Sequence, residues 1–224
     1  MPRQIVPKTD APYARGRDLK MEDFICRILG VRKYFITRAS AFHLDPPRHY
    51  HTFDHALDVA AELMLAGYEV SIENPHELLL AAIYHDAVYV PGANDNEANS
   101  AAVARREMAE FEMNNIDRKY VEHLIRLTAK HFTDLDLSDE EAIFMDADIH
   151  GFAAPFDIFN HLQESIDREF LMVSSLQDVR ENRDKFLAGL LERPTIFYSK
   201  RGREIYEPNA RANLKRYLDP DRPR

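Results

Sequence analysis

The sequence predicts an all-α protein, folded as one helical bundle. Three observations carry that prediction. Glycine is scarce, 7 of 224 residues. From residue 19 onward, apolar residues recur at helical rather than alternating spacing. The breaks between these runs carry helix-start signals: Ser, Asp or Asn ahead of the run, or Pro in its first turn.

Residues 1–17 contain three prolines and scattered charges and predict a poorly ordered arm; residues 18–224 are read as one domain. Phe24, Ile25, Ile28 and Leu29 set a first helix that ends near Gly30, and Val31 to Phe42 continues as a second helical piece. Pro46-Pro47 then breaks the chain, because consecutive prolines remove donors and fix φ. A helix is expected from His49 to Ala66, with Gly67 as its C-cap. Asn74 and Pro75 supply an N-cap and a first helical residue for HELLLAAIYHDAV. Leu78 to Ile83 make that helix apolar all round, so it should be buried on every side.

Pro91-Gly92 forms a turn, after which Asn94 or Asp95 caps a helix to about Met113. The next runs from Asp117 to about His131, with Val121, Leu124, Ile125 and Thr128 on one face. Ser138 and Glu141 form a capping box ahead of Ala142. Helices follow from Pro155 to Leu171 and from Ser175 to Glu192, the second with Ser174 and Gln177 as a further capping box. Pro194 interrupts, TIFY reads as a short extended piece, and Pro208 opens a last helix to Leu218.

Acidic residues outnumber basic ones 38 to 29, for a formal net charge of −9. That balance argues against non-specific binding to nucleic acid or to an anionic membrane. No apolar run approaches the roughly 20 residues that span a bilayer, and the first residues lack the apolar stretch of a secretory signal. A cytoplasmic protein is the expectation. Cys26 is the single cysteine, which excludes an internal disulfide and a thiolate zinc site. Any metal must use His, Asp and Glu.

The chemistry concentrates in two places. RHYHTFDHALDVA, residues 48–60, holds three histidines and two aspartates, with His51 and His55 one turn apart on the expected helix. His85 and Asp86 close the most apolar helix of the chain, with no Lys or Arg within a turn. A carboxylate there loses hydration and costs several kcal/mol unless a cation offsets it. A metal ion would supply that charge and use the imidazole lone pair. Antiparallel packing of consecutive helices could bring His55 to the pair. Downstream, IFMDADIH offers Asp146 and Asp148 as competing last ligands. Two nitrogens and two carboxylates suit zinc, manganese, iron, cobalt or nickel.

The order H…HD…D, carried by His55, His85-Asp86 and Asp148, resembles the HD-domain superfamily of metal-dependent phosphohydrolases. The segments Tyr50-His51-Thr52, His55-Ala56, Asp58-Val59 and Ala147-Asp148-Ile149 are similar to cyclic-nucleotide phosphodiesterase motifs within it. A closer resemblance is to a bacterial family of predicted HD phosphohydrolases, through RHYH…H, YHDAVY, Asp95-Asn96-Glu97, DAD and Ala210-Arg211 with Asn213-Leu214. It covers roughly residues 45–218 and implies an HD-type, phosphodiesterase-like bundle. It also implies His55, His85, Asp86 and Asp148 as metal ligands, with Asp86 bridging to a second ion, and favours Asp148 over Asp146. His51 would be the general acid. Val88-Tyr89 and Thr52 depart from the phosphodiesterase pattern, so its nucleotide pocket does not carry over.

The resulting expectation is hydrolysis of a phosphoester in a nucleotide or another small phosphorylated metabolite. One or two divalent ions (Mn, Fe, Co, Ni, Zn or Mg) would activate water, and His51 would protonate the leaving oxygen. His131, Glu97, Asp95, Arg48 and Lys130 are candidates for a second metal or for substrate. Two alternatives use the same ligands: an HD-type di-iron oxygenase, and a non-catalytic protein that binds metal and a phosphorylated ligand. The oligomeric state is left open.

Overall fold

A computed structural model describes residues 19–44, 48–132 and 134–221. The expected arm at 1–17 and the Pro46-Pro47 break lie outside these residues. Among the described residues the protein is all-helical, with eleven α-helices, short 3₁₀ turns and no strand. None of these helices is long and apolar enough to cross a membrane.

Helix α1 spans Leu19–Leu29 and stops at Gly30, whose φ of 65° is left-handed. Val31 N–H then donates to Cys26 O at 2.9 Å, closing the last turn. Helix α2 is Lys33–Ala41, α3 is Phe53–Ala66 and α4 is Pro75–Tyr84. The sequence placed the start of α3 at His49, but residues 49–52 are not helical. Their amides find another acceptor, described below. Gly67 ends α3 in right-handed geometry, with φ −63°, so it is not the left-handed cap that was expected. Asn74 occupies the N-cap of α4 without capping it; its amide group donates instead to Glu140 at 2.8 Å.

As its apolar run predicts, α4 is central. Leu80, Ala81, Ala82, Ile83 and Tyr84 are fully buried, and α4 packs against α3 and against α5, Asn96–Glu110, and α6, Arg118–Leu127. Asp117 caps α6 by accepting from Lys119 and Tyr120 amides. Helix α7, Asp139–Ile149, begins with the Ser138–Glu141 capping box read from the sequence. Burial of this first core, from Ile25 to Ala147, fixes α3, α4 and α7 side by side.

A second apolar cluster joins α8, Phe156–Phe170, α9, Leu176–Glu192, and α11, Glu207–Tyr217, around Phe159, Leu187 and Leu214. The start of α9 is capped by Ser175 and not by a Ser174–Gln177 box. Asn213 on α11 donates to Phe152 O and Ala154 O at 2.8 and 2.7 Å. TIFY forms no strand. It leads into a short helix, α10, Lys200–Ile205, capped by Ser199.

Asp146 on α7 holds that connection. Its carboxylate accepts from Tyr198 N–H at 2.7 Å and Ser199 N–H at 2.9 Å. A Cβ at Gly202 would overlap this carboxylate, standing 2.7 Å from Asp146 Cγ and 3.0 Å from Phe197 Cβ. Because both carboxylate oxygens are already bonded, the clash has no easy relief. Gly202→Ala should therefore lose about 1–3 kcal/mol in urea unfolding, the usual cost of overpacking. Gly189→Ala, in open space on α9, should gain about 0.5–1 kcal/mol from helix propensity. Equal effects of the two substitutions would refute the role assigned to Asp146.

Candidate metal centre

Three neighbouring elements deliver the site. His55 sits in the first turn of α3, His85 and Asp86 directly follow α4, and Asp148 lies in the last turn of α7. His55, His85 and Asp148 each offer one ligand atom, and these atoms all lie within 4.8 Å of one another, so the group can hold a metal ion. His55 Nε2 stands 2.9 Å from Asp148 Oδ1, His85 Nε2 3.3 Å from the same oxygen, and the two Nε2 atoms 3.3 Å apart. Asp86 Oδ2 approaches the same imidazoles, at 3.0 Å from His85 and 3.8 Å from His55.

The spacing suits a cation. Nitrogen ligands about 2.0–2.1 Å from a tetrahedral ion stand roughly 3.3 Å from one another. The tautomer suits it as well. His85 Nδ1 donates to Ala82 O at 2.9 Å, which leaves Nε2 to face the group.

The electrostatics are those of a buried anionic pocket. Burial opposes charge on His85, but Asp86 and Asp148 outweigh it and hold the imidazole well above its ordinary range. Burial would likewise raise the two carboxyls. His85 and the neighbouring imidazoles outweigh it and keep both well below the carboxylate range.

Asp146 and Asp148 part company. Asp148 joins the imidazoles, whereas Asp146 faces the Tyr198–Ser199 amides, where burial pushes it up to about 6 against their hydrogen bonds. Among the second-metal or substrate candidates, His131 reaches the group, with Nε2 2.7 Å from Asp148 Oδ2. Its Nδ1 is buried without a hydrogen-bond partner among the described residues. Arg48 donates to the carbonyls of Phe42, His51, Asp86 and Ala87, which ties the segment before α3 to the His85-Asp86 turn. Lys130 and Asp95 are exposed, and Glu97 is half-buried. Between those two acids, Asn96 bonds both the amide and the carbonyl of Val90, at 2.9 and 3.0 Å. Ser100 does the same for Val88 at 3.0 and 3.1 Å. Together they pin the segment that carries Tyr89.

His51 lies before α3 rather than on it. Its Nδ1 is 2.6 Å from Glu169 Oε2, and its ring stacks on Tyr89 at 3.8 Å. The His51 and His55 ring centres are 6.3 Å apart. Glu169, on the last turn of α8, also accepts from the amides of His49, Tyr50 and His51 through Oε1, at 2.7, 2.7 and 3.1 Å. These bonds hold residues 49–51, ahead of α3, to the end of α8. Burial would raise the Glu169 carboxyl, but the His51 bond and the amides of Tyr50 and His49 hold it below its ordinary value. Glu169 was not anticipated from the sequence. It lies 118 residues from His51 in DREF, where nothing local distinguishes it from a solvated helix acid.

No family model matches the chain, and no curated protein matches it.

Because the raised His85 proton stabilises only the folded state, its contribution is complete below about pH 6.5 and is lost as pH rises through the raised folded value. The carboxylates contribute in the opposite sense, above about pH 4, and lose their contribution on acidification. Metal-free protein should thus lose thermal stability on the alkaline side, while a divalent ion, which replaces that proton, should stabilise increasingly with pH. At about 100 times Kd the ion should add about 2.7 kcal/mol. Asp148→Asn should abolish this shift and Asp146→Asn should retain it. A metal shift that ignores pH and survives Asp148→Asn would refute the site.

Proposed function

We propose that the chain is a metal-dependent phosphohydrolase of HD type, cytoplasmic, acting on a small phosphoester. The observation that supports this best is the pairing of two unlike arrangements. A cation site of His55, His85, Asp86 and Asp148 lies beside His51, whose ring is oriented by Glu169. The first is suited to Lewis-acid chemistry and the second to proton transfer. A divalent ion, when bound, supplies Lewis acidity and lowers the pKa of a coordinated water to about 7.

The chain's own residues supply the rest. His55, His85, Asp86 and Asp148 hold the cation, and their two carboxylates offset its charge. Glu169 accepts a hydrogen bond from His51 Nδ1–H, so Nε2 of the protonated ring is the atom that hands a proton to the leaving oxygen. Tyr89 fixes the plane of the ring by stacking. Arg48 keeps the His51 and Asp86 backbones together.

General-acid catalysis matters most when the leaving group is a poor one. In metal-loaded protein, His51→Ala should lower kcat about 10²–10⁴-fold on an alkyl phosphoester and far less on a 4-nitrophenyl ester, whose phenolate leaves without a proton. Glu169→Gln should lose a smaller factor with metal content unchanged. Equal losses on both esters, or no phosphate release from any ester, would defeat the proposal; oxygen uptake with bound iron would favour oxygenase chemistry instead.

A further inference from the structure

The last turn of α8 places Glu169, buried, against His51, and the next four residues turn outward. Phe170, Leu171, Met172 and Val173 are all exposed, the last two to 52% and 58%, and Leu176 follows them on α9. The turn is ordered by its own backbone: Met172 and Val173 amides donate to Glu169 O and Phe170 O at 3.2 and 3.0 Å, and Ser174 N–H donates to Phe170 O at 3.0 Å. Across from it runs the segment after Tyr89. Val90 is exposed, and Val173 Cγ2 comes within 4.0 Å of where a Cβ at Gly92 would stand. Each apolar wall is thus one residue away from a side chain that packs on His51.

We propose that these walls form an apolar lip that receives the hydrocarbon part of a phosphoester whose phosphoryl group lies at the cation site. The inference rests on the phosphohydrolase reading and names its substrate class. Contiguous exposed apolar side chains mark binding surfaces, and here they follow directly in the chain on Glu169 and Tyr89, the two residues that meet the His51 ring. Charge points the same way. Asp86, Asp148 and Glu169 already place three carboxylates at the site, and Arg48 is engaged by four carbonyls. A polyanionic substrate would meet more repulsion there than a single phosphoryl group on an apolar body, whose one charged end lies at the cation.

The test uses the metal-loaded full chain and a series of methyl-, butyl- and octylphosphonate, followed by calorimetry, with hydrolysis of the matching alkyl phosphates measured in parallel. Octylphosphonate should bind at least about tenfold tighter than methylphosphonate, since each buried methylene adds to affinity. Met172→Ser/Val173→Ser should reduce that ratio to below about threefold. Val90→Ser, on the opposite wall, should lower it independently should the double variant fail to fold. Equal affinity along the series, or no binding of any phosphonate, would overturn the lip. So would a slope unchanged by the substitutions while light scattering shows them dissociating a dimer, since a second copy would then be the occupant. A chain-length slope in binding with no hydrolysis of any ester would leave the lip standing and remove the hydrolase reading.

Discussion

Two carboxylates, Asp86 and Asp148, face two imidazole nitrogens only 3.3 Å apart at the junction of three helices, and the rest of the site is organised around that concentration of charge. Four polar groups drawn this close inside a protein cost several kcal/mol in lost hydration. The metal-free protein offsets part of that cost with a proton on His85. A proton, however, is a small answer to two carboxylates. A divalent cation satisfies both carboxylates and both lone pairs at once, which is the physical case for a metal site.

Charge at the centre demands rigidity around it, and the neighbouring structure supplies it with backbone-directed side chains. Glu169 gathers three successive amides, Arg48 gathers four carbonyls, and Asn96 and Ser100 each take both polar groups of one residue. These residues act on irregular segments, 48–52 and 85–90, where no helix satisfies the main chain. That is why the functional side chains can sit on loops and still be held in place. One carboxylate, Glu169, both shapes the His49–His51 backbone and orients the His51 ring. Backbone order and proton position are therefore coupled at a single side chain.

Much of the helical plan was legible because it follows from local rules. The Ser138–Glu141 box, the helix start at Asp117, Pro75 at the start of α4 and the apolar surround of α4 all act within a few residues of themselves. The convergence of His55, His85 and Asp148, a group that could hold a metal ion, was also legible in outline, since a His-Asp pair after an all-apolar helix is costly without a partner. What was not legible depended on distant groups. The start of α3 moved from His49 to Phe53, and the residues ahead of it are held instead by Glu169, on α8, through three successive amides. Of the Asp95-Asn96-Glu97 segment it is the amide member that is committed, bonding both the N–H and the C=O of Val90, because a side-chain amide, like the Ser100 hydroxyl, carries a donor and an acceptor together.

The competition between Asp146 and Asp148 shows how one helix can serve two purposes. Residues two apart on an α-helix point roughly 200° away from each other, so both carboxylates cannot face the same imidazoles. Spacing alone leaves the choice open, because either aspartate could be the inward one. The choice is made by what lies behind α7: two consecutive amides, Tyr198 and Ser199, at the start of α10, together with a glycine at 202 that leaves room for a carboxylate. Asp146 satisfies those amides and anchors the second apolar cluster to the first through Tyr198, whose ring packs against both. With that side of the helix committed, Asp148 is turned towards His55 and His85. The position of the candidate ligand is thus determined partly from the opposite face of its own helix, by a carboxylate that stands apart from the His55–His85–Asp148 group.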